Sequence, residues 1–219
     1  MSFKLMYIDE LKGFAKSKVM IILWIGLPIL SVLFRYFQPE TEGMPLLLFI
    51  AVLIASIGGT LSAVLLSTTV TSERNRHVYD LFLIRPVKRS ELMLAKYFAA
   101  LTSLLIAAVL SVLLGTMVAA VRGQLGPDLL KGSAESLVIS FAGMAIACSV
   151  GLLFGTLFNS VAVSAILSVY LGNQLSSIII LPAVLIEGLN RTVFSLIVGV
   201  AVPVLILFIT IKVFEKKTL

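Results

Sequence analysis

The chain has 219 residues, of which 59% are apolar and only 13% charged, with a formal net charge of +6. A soluble domain carries roughly 25% charged residues. This composition therefore excludes a soluble globular enzyme, a disordered chain, a disulfide scaffold and a coiled coil, and it points to a polytopic membrane protein.

The first 18 residues carry Lys4, Lys12, Lys16 and Lys18 ahead of an apolar run. Phe3, Tyr7, Leu11 and Phe14 fall on one helical face. A basic amphipathic helix before a span is expected to lie in the interface plane. The pattern also resembles a signal peptide, but no small-x-small site follows Val32 to Tyr36, so the run is read as a retained span.

Six windows hold no charged residue: 19–34, 46–70, 97–121, 136–157, 161–181 and 193–211. A helix needs about 20 apolar residues to cross a bilayer, and these runs are too long for core strands. The predicted spans are 19–37, 45–70, 92–121, 135–157, 161–181 and 193–212. Arg35, Tyr36 and Phe37 extend the first, as snorkelling and anchoring residues do at an interface. The predicted fold is an all-α polytopic membrane protein, with 1–219 forming one transmembrane domain.

Orientation follows from Lys and Arg in the connections. One face holds Lys4, Lys12, Lys16, Lys18, Arg74, Arg76, Arg85, Lys88, Arg89, Lys96, Lys212, Lys216 and Lys217. The other holds only Arg35, Arg122, Lys131 and Arg191. Both termini are therefore expected on the cytoplasmic face of the cell membrane. The positive charge is this topology signal, and nucleic acid is not an expected partner.

Small residues recur at every fourth position in several spans. Ala51, Ala55, Gly59, Ala63 and Ser67 mark the second. Ala95, Ala99, Ser103, Ala107, Ser111, Gly115 and Ala119 mark the third. The fourth has Gly143, Ala147, Gly151 and Gly155, and the fifth Ser160, Ser164, Ser168, Gly172 and Ser176. Such ridges let helix backbones approach closely in lipid, where apolar side chains gain nothing by leaving it. They predict a tight bundle or a subunit interface, and a moving transporter could use the same surfaces for sliding.

The charge-free interior argues against ion-coupled transport, whose proton or ion relays need ionisable groups in the spans. It also argues against an intramembrane protease, since the one histidine, His77, lies in a connection. The single cysteine, Cys148, reads as a packing residue. No metal site is expected. Thr60, Ser67, Ser168, Asn173, Gln174 and Ser177 are the polar residues that either bond between helices or line a polar pathway.

The 71–96 connection is the largest polar segment. Ser72 is positioned to cap a short helix beginning at Glu73, with Val78, Leu81 and Phe82 on one face. Pro86 ends it at Arg85, and Ser90 and Glu91 open the third span. A short amphipathic helix fixed between two spans is suited to receive force from a cytoplasmic protein. The plain alternative is a charged loop that only sets topology.

The segment resembles the loop between spans two and three of type-2 ABC exporter permeases. The residues that carry the resemblance are Glu73-Arg74, Asp80, Phe82-Leu83, Pro86-Val87, Arg89 and Lys96. The sequence has His77-Val78-Tyr79 where that family has Gly-Thr-Leu, and Ala95 where it has Gly before the lysine. The resemblance implies that 1–18 is a connecting helix and 72–90 a cytoplasmic coupling segment. It implies coupling roles for Glu73, Arg74, Asp80, Phe82, Arg85, Pro86 and Arg89. It further implies a homodimer of permeases with two copies of a separate ATPase. The second and fifth spans would line the pathway. The chain would bind no cofactor, because ATP and Mg would sit on the partner. The string Gly126-Pro127-Asp128-Leu129-Leu130-Lys131-Gly132-Ser133 has the wrong order for a P-loop, so the chain itself is not expected to be an enzyme. The rival readings are a self-contained channel or facilitator, and a non-transporting scaffold or immunity protein. A lipid, a hydrophobic peptide or drug, or a polysaccharide would all suit the uncharged interior.

Overall fold

A computed structural model describes residues 3–37, 46–76, 89–123, 126–186 and 190–217. Every regular element among them is an α-helix: α1 (Phe3–Lys16), α2 (Lys18–Phe37), α3 (Leu46–Asn75), α4 (Arg89–Val121), α5 (Pro127–Leu157), α6 (Val161–Leu185) and α7 (Arg191–Lys217). The last six are each long and apolar enough to span a membrane.

Several boundaries differ from the sequence expectation. Ser72 and Glu73 do not start a new helix, because they form the last turns of α3. Backbone hydrogen bonding propagates through polar residues once a long helix is nucleated. By contrast α4 begins at Arg89, close to the expected opening at Ser90 and Glu91, and Lys96 lies inside it as the 92–121 span implied. The 71–96 connection thereby contracts to residues 76–88. The 122–135 connection also contracts, since α5 starts at Pro127, an N-terminal position whose missing N–H costs nothing there. Asp128 to Ser133 thus form the first turns of α5. Beyond the expected end at 181, α6 continues through Pro182 to Leu185. Only 186–190 then separates it from α7.

The core of the bundle is the contact between α3 and α5, with α5 the most enclosed span. These two helices run parallel, and their small-residue ridges meet in register. Ser140 Oγ donates to the Ala51 carbonyl at 3.0 Å, and Thr71 Oγ1 to the Gly155 carbonyl at 3.1 Å. Between those points Gly143 faces Ala55, Gly59 faces Ala147, Gly151 faces Ala63 and Gly155 faces Ser67. A Cβ on Gly151 would lie 2.5 Å from the Ala63 carbonyl oxygen and 2.6 Å from its Cα. The obstacle is backbone, which cannot swing aside.

The fifth-span ridge closes on this seam from the other side. Ser176 Oγ donates to the Gly143 carbonyl at 3.0 Å, and Gly172 faces Ala63 and Ala147. On the opposite flank α2 packs against α4. The α4 ridge from Ala95 to Ala119 is buried throughout, Trp24 Nε1 donates to the Ser103 carbonyl at 2.9 Å, and Gly115 lies against Ser31. Finally α7 packs on α5, with Gly199 against Ala142. Cys148 is a packing residue, its Sγ 3.2 Å from Ser62 Oγ.

The geometry separates glycines that are needed from glycines that are not. Gly151→Ala is expected to destabilise the folded protein by about 1–3 kcal/mol through overpacking. Nothing lies within 4 Å of a Cβ on Gly26. Gly26→Ala should therefore stabilise by about 0.4–1 kcal/mol, through reduced freedom of the unfolded chain. Denaturation of both variants in the same detergent measures the contrast.

Candidate functional site

Helix α1 turns most of the face that hydrophobic spacing suggests toward the core, and widens it. The expected face was Phe3, Tyr7, Leu11 and Phe14. Phe14 is buried, Tyr7 and Leu11 pack partly buried against the core, and Phe3 is exposed; Met6 and Glu10, outside the expected set, are buried and partly covered. The helix is rotated so that a carboxylate points inward. Tyr7 also turns inward, its hydroxyl 3.1 Å from Thr102 Oγ1 on α4.

The group that draws Glu10 in is Lys96. Its side chain is 1% exposed, and its Nζ lies 2.5 Å from Glu10 Oε1 and 2.9 Å from the Glu73 carboxylate. One ammonium thus joins three helices: α1 through Glu10, the last turns of α3 through Glu73, and the start of α4. Each carboxylate takes one of the three hydrogen bonds an ammonium can donate, and a buried charge left unpaired is costly. Desolvation raises the Glu10 carboxyl above its ordinary 4.5. Lys96 opposes that rise, while Glu73 and Asp9 reinforce it.

Arg74, one residue on, turns the other way. Its guanidinium donates to the carbonyls of Thr156 and Phe158, and to Asn159 Oδ1 at 2.9 Å. These acceptors lie at the carboxyl end of α5, where carbonyls lack intrahelical partners and the helix dipole favours a cation. Asn75 Nδ2 adds a bond to the Asn159 carbonyl at 2.7 Å. Adjacent residues at the end of α3 are therefore fastened to α1 and α4 on one side and to α5 on the other.

Of the remaining residues singled out in the sequence, Asp80, Phe82, Arg85 and Pro86 lie outside the described residues, as does His77. Arg89 is the first residue of α4. The polar residues of the second and fifth spans do not share one space within a single chain. Ser67 and Ser168 are buried, and Ser67 Oγ bonds its own helix at Val64. Thr60 is half-buried and bonds the Ile57 carbonyl. Asn173 accepts a 3.0 Å bond from Ser56, whereas Gln174 and Ser177 are exposed on the surface of α6. Ser56 lies one turn before Thr60, so the two form one edge of α3 that runs beside the Asn173 side of α6. Ser56 was missed by the sequence reading, although its four-residue spacing from Thr60 signals it.

Glu10 and Lys96 also escaped the list of candidate site residues. Each reads in sequence as one more charge in a polar flank. The usable signal was the place of Lys96, directly beside Ala95, the first residue of the small-residue ridge of α4. The chain matches no family model, and no curated protein matches it.

Loss of the central ammonium would leave two partly buried carboxylates facing each other. Lys96→Met is expected to cost about 3–5 kcal/mol. Adding Glu10→Gln and Glu73→Gln should restore most of it, and melting of the series in detergent measures both effects. The raised Glu10 pKa also fixes a sign. The folded state binds more protons than the unfolded state from pH 4.5 up to the raised value, so stability falls as pH rises through that window. Glu10→Gln should flatten that part of the stability–pH curve.

Proposed function

We propose that this chain is the membrane-spanning permease subunit of an ATP-driven exporter of the type-2 ABC class. It works as a homodimer with two copies of a separate ATPase subunit, which carries ATP and Mg. Both termini face the cytoplasm at the cell membrane, α1 lies in the interface as a connecting helix, and residues 77–88 dock on the ATPase.

One observation carries this reading. The Lys96 cluster ties α1 to the two helices that flank the 77–88 connection. A load applied to that connection is passed to α3 through Glu73 and to α4 through Lys96. From α3 it reaches the central seam, and through Arg74 the end of α5. A self-contained channel has no need for a stiff linkage at the base of one polar connection. The uncharged strip of Ser56, Thr60, Asn173, Gln174 and Ser177 on the open side of α3 and α6 supports a pathway between two copies. Polar side chains left facing lipid would lack partners, and a second subunit covers them.

The chain is expected to co-purify with a neighbouring Walker-motif protein and to alter its ATP hydrolysis. Asp80→Lys with Arg85→Glu should lower that effect at least about fivefold, the lower end of measured coupling energies. These positions are preferable to Arg74, whose replacement also uncaps α5. Conduction or flux by the reconstituted chain alone, without nucleotide or partner, would overturn the proposal.

A further inference from the structure

A buried cation with no counter-charge among the described residues sits at the end of the bundle opposite the Lys96 cluster. Arg35, in the last turn of α2, is 6% exposed, and its Nη2 has no hydrogen-bond partner. Among the described residues no carboxylate pairs with it. Ser133 on α5 is 3% exposed, and its Oγ is unpartnered as well. The two residues line one cavity of about 20 Å³, together with Ser31, Thr116 and Ser136. Gly115 keeps the space open, since a Cβ there would come within 2.6 Å of Ser31 Oγ.

The hydrogen-bond inventory defines what belongs in this space. Ser136 Oγ already donates to the Leu47 carbonyl at 2.6 Å, and Thr116 Oγ1 to the Leu113 carbonyl at 2.9 Å. Arg35 Nη2 and Ser133 Oγ are left with protons to give. A guanidinium stays protonated in proteins and has no acceptor to offer. Buried polar groups are almost always partnered, and a buried charge requires compensation. A second cation, exposed and outside the cavity lining, lies at the same end. Arg122 lies over the Tyr36 ring at 4.8 Å and donates to the carbonyls of Arg35 and Tyr36.

Water would satisfy the hydrogen bonds but not the charge. A cavity of this size holds about one water-sized body. A phosphate, with four oxygens, is too large to enter whole. We propose that the cavity between α2, α4 and α5 binds a single halide-sized anion, held by Arg35 Nη2 and Ser133 Oγ. The anion neutralises Arg35 and fastens the far ends of α2 and α5. This site lies at the opposite end from the Lys96 cluster and does not depend on the exporter reading.

The test uses the full chain in nanodiscs of zwitterionic lipid, with chloride exchanged for gluconate at constant ionic strength. The chloride NMR line should broaden, and bromide should narrow it again by competition. The melting temperature should rise by roughly 5 °C or more when chloride stands at about 100 times its dissociation constant. Arg35→Gln should abolish both effects. Ser133→Ala, which keeps the charge, should weaken chloride about tenfold and so reports on the site even if Arg35→Gln fails to fold. Replacing Glu40 and Glu42, the acids that follow α2 in sequence, by glutamine should change neither effect. Three results would overturn the proposal. One is a chloride response equal in wild type and Ser133→Ala. Another is a chloride-insensitive wild type destabilised by the Glu40 and Glu42 replacements, which would identify an internal carboxylate as the partner. The third is displacement of chloride by anionic phospholipid, which would identify a headgroup.

Discussion

The close approach of α3 and α5 sets the geometry on which the other contacts rest. Lipid offers apolar side chains the same environment as a protein core, so burial alone gives two spans no reason to associate. Their attraction has to come from dispersion and from hydroxyl-to-carbonyl bonds at short range. Gly59, Gly143, Gly151 and Gly155 permit that range, and Ser140 and Thr71 add bonds that cross it. The parallel direction of the two spans brings their ridges into register over most of the bilayer. With that seam fixed, α6 lays its own serine and glycine ridge against it, and α7 covers the remaining face of α5.

A second constraint is where charge is tolerated. The middle of the bundle is uncharged, while among the described residues each end holds a buried cation, Lys96 at one and Arg35 at the other. Lys96 is matched by two carboxylates drawn from separate helices. Arg35 has no such partner among the described residues. The difference bears on mechanics. An ammonium shared by Glu10 and Glu73 ties helices together at the base of the 77–88 connection. Under the proposed exporter function, this is where energy from a separate protein would enter a bundle whose spans carry no ionisable relay.

Much of this was legible in the chain before folding. The six spans followed from length and hydropathy alone, because bilayer thickness fixes how many apolar residues a crossing helix needs. The ridges at 51–67, 95–119 and 143–155 were equally plain, since four-residue spacing is local. Helix ends were less legible. Ser72 and Glu73 look like the start of a helix, yet they extend α3, and Pro127 looks like part of a connection, yet it starts α5. At Ser72 the local capping signal was overridden by the long helix already running through it, whereas at Pro127 a favourable helix-start residue was simply not read as one. On α1 the apolar spacing found Tyr7, Leu11 and Phe14 but not Met6 or Glu10, because an apolar count cannot anticipate that Lys96 draws Glu10 inward.

The sequence by itself determined that this protein is a bundle of membrane-spanning helices with an uncharged middle and small-residue ridges. Each of those properties depends on residues within a turn or two of one another. Only the tertiary structure decided which ridges meet, and that α3 and α5 do so in parallel register. It also decided that Glu10, Glu73 and Lys96 form one cluster, that Arg74 caps α5, and that Arg35 is enclosed with Ser133. These are pairings between residues 23 to about 100 positions apart. Their partners are chosen by packing and by the cost of an unpaired buried charge, neither of which is visible along the chain.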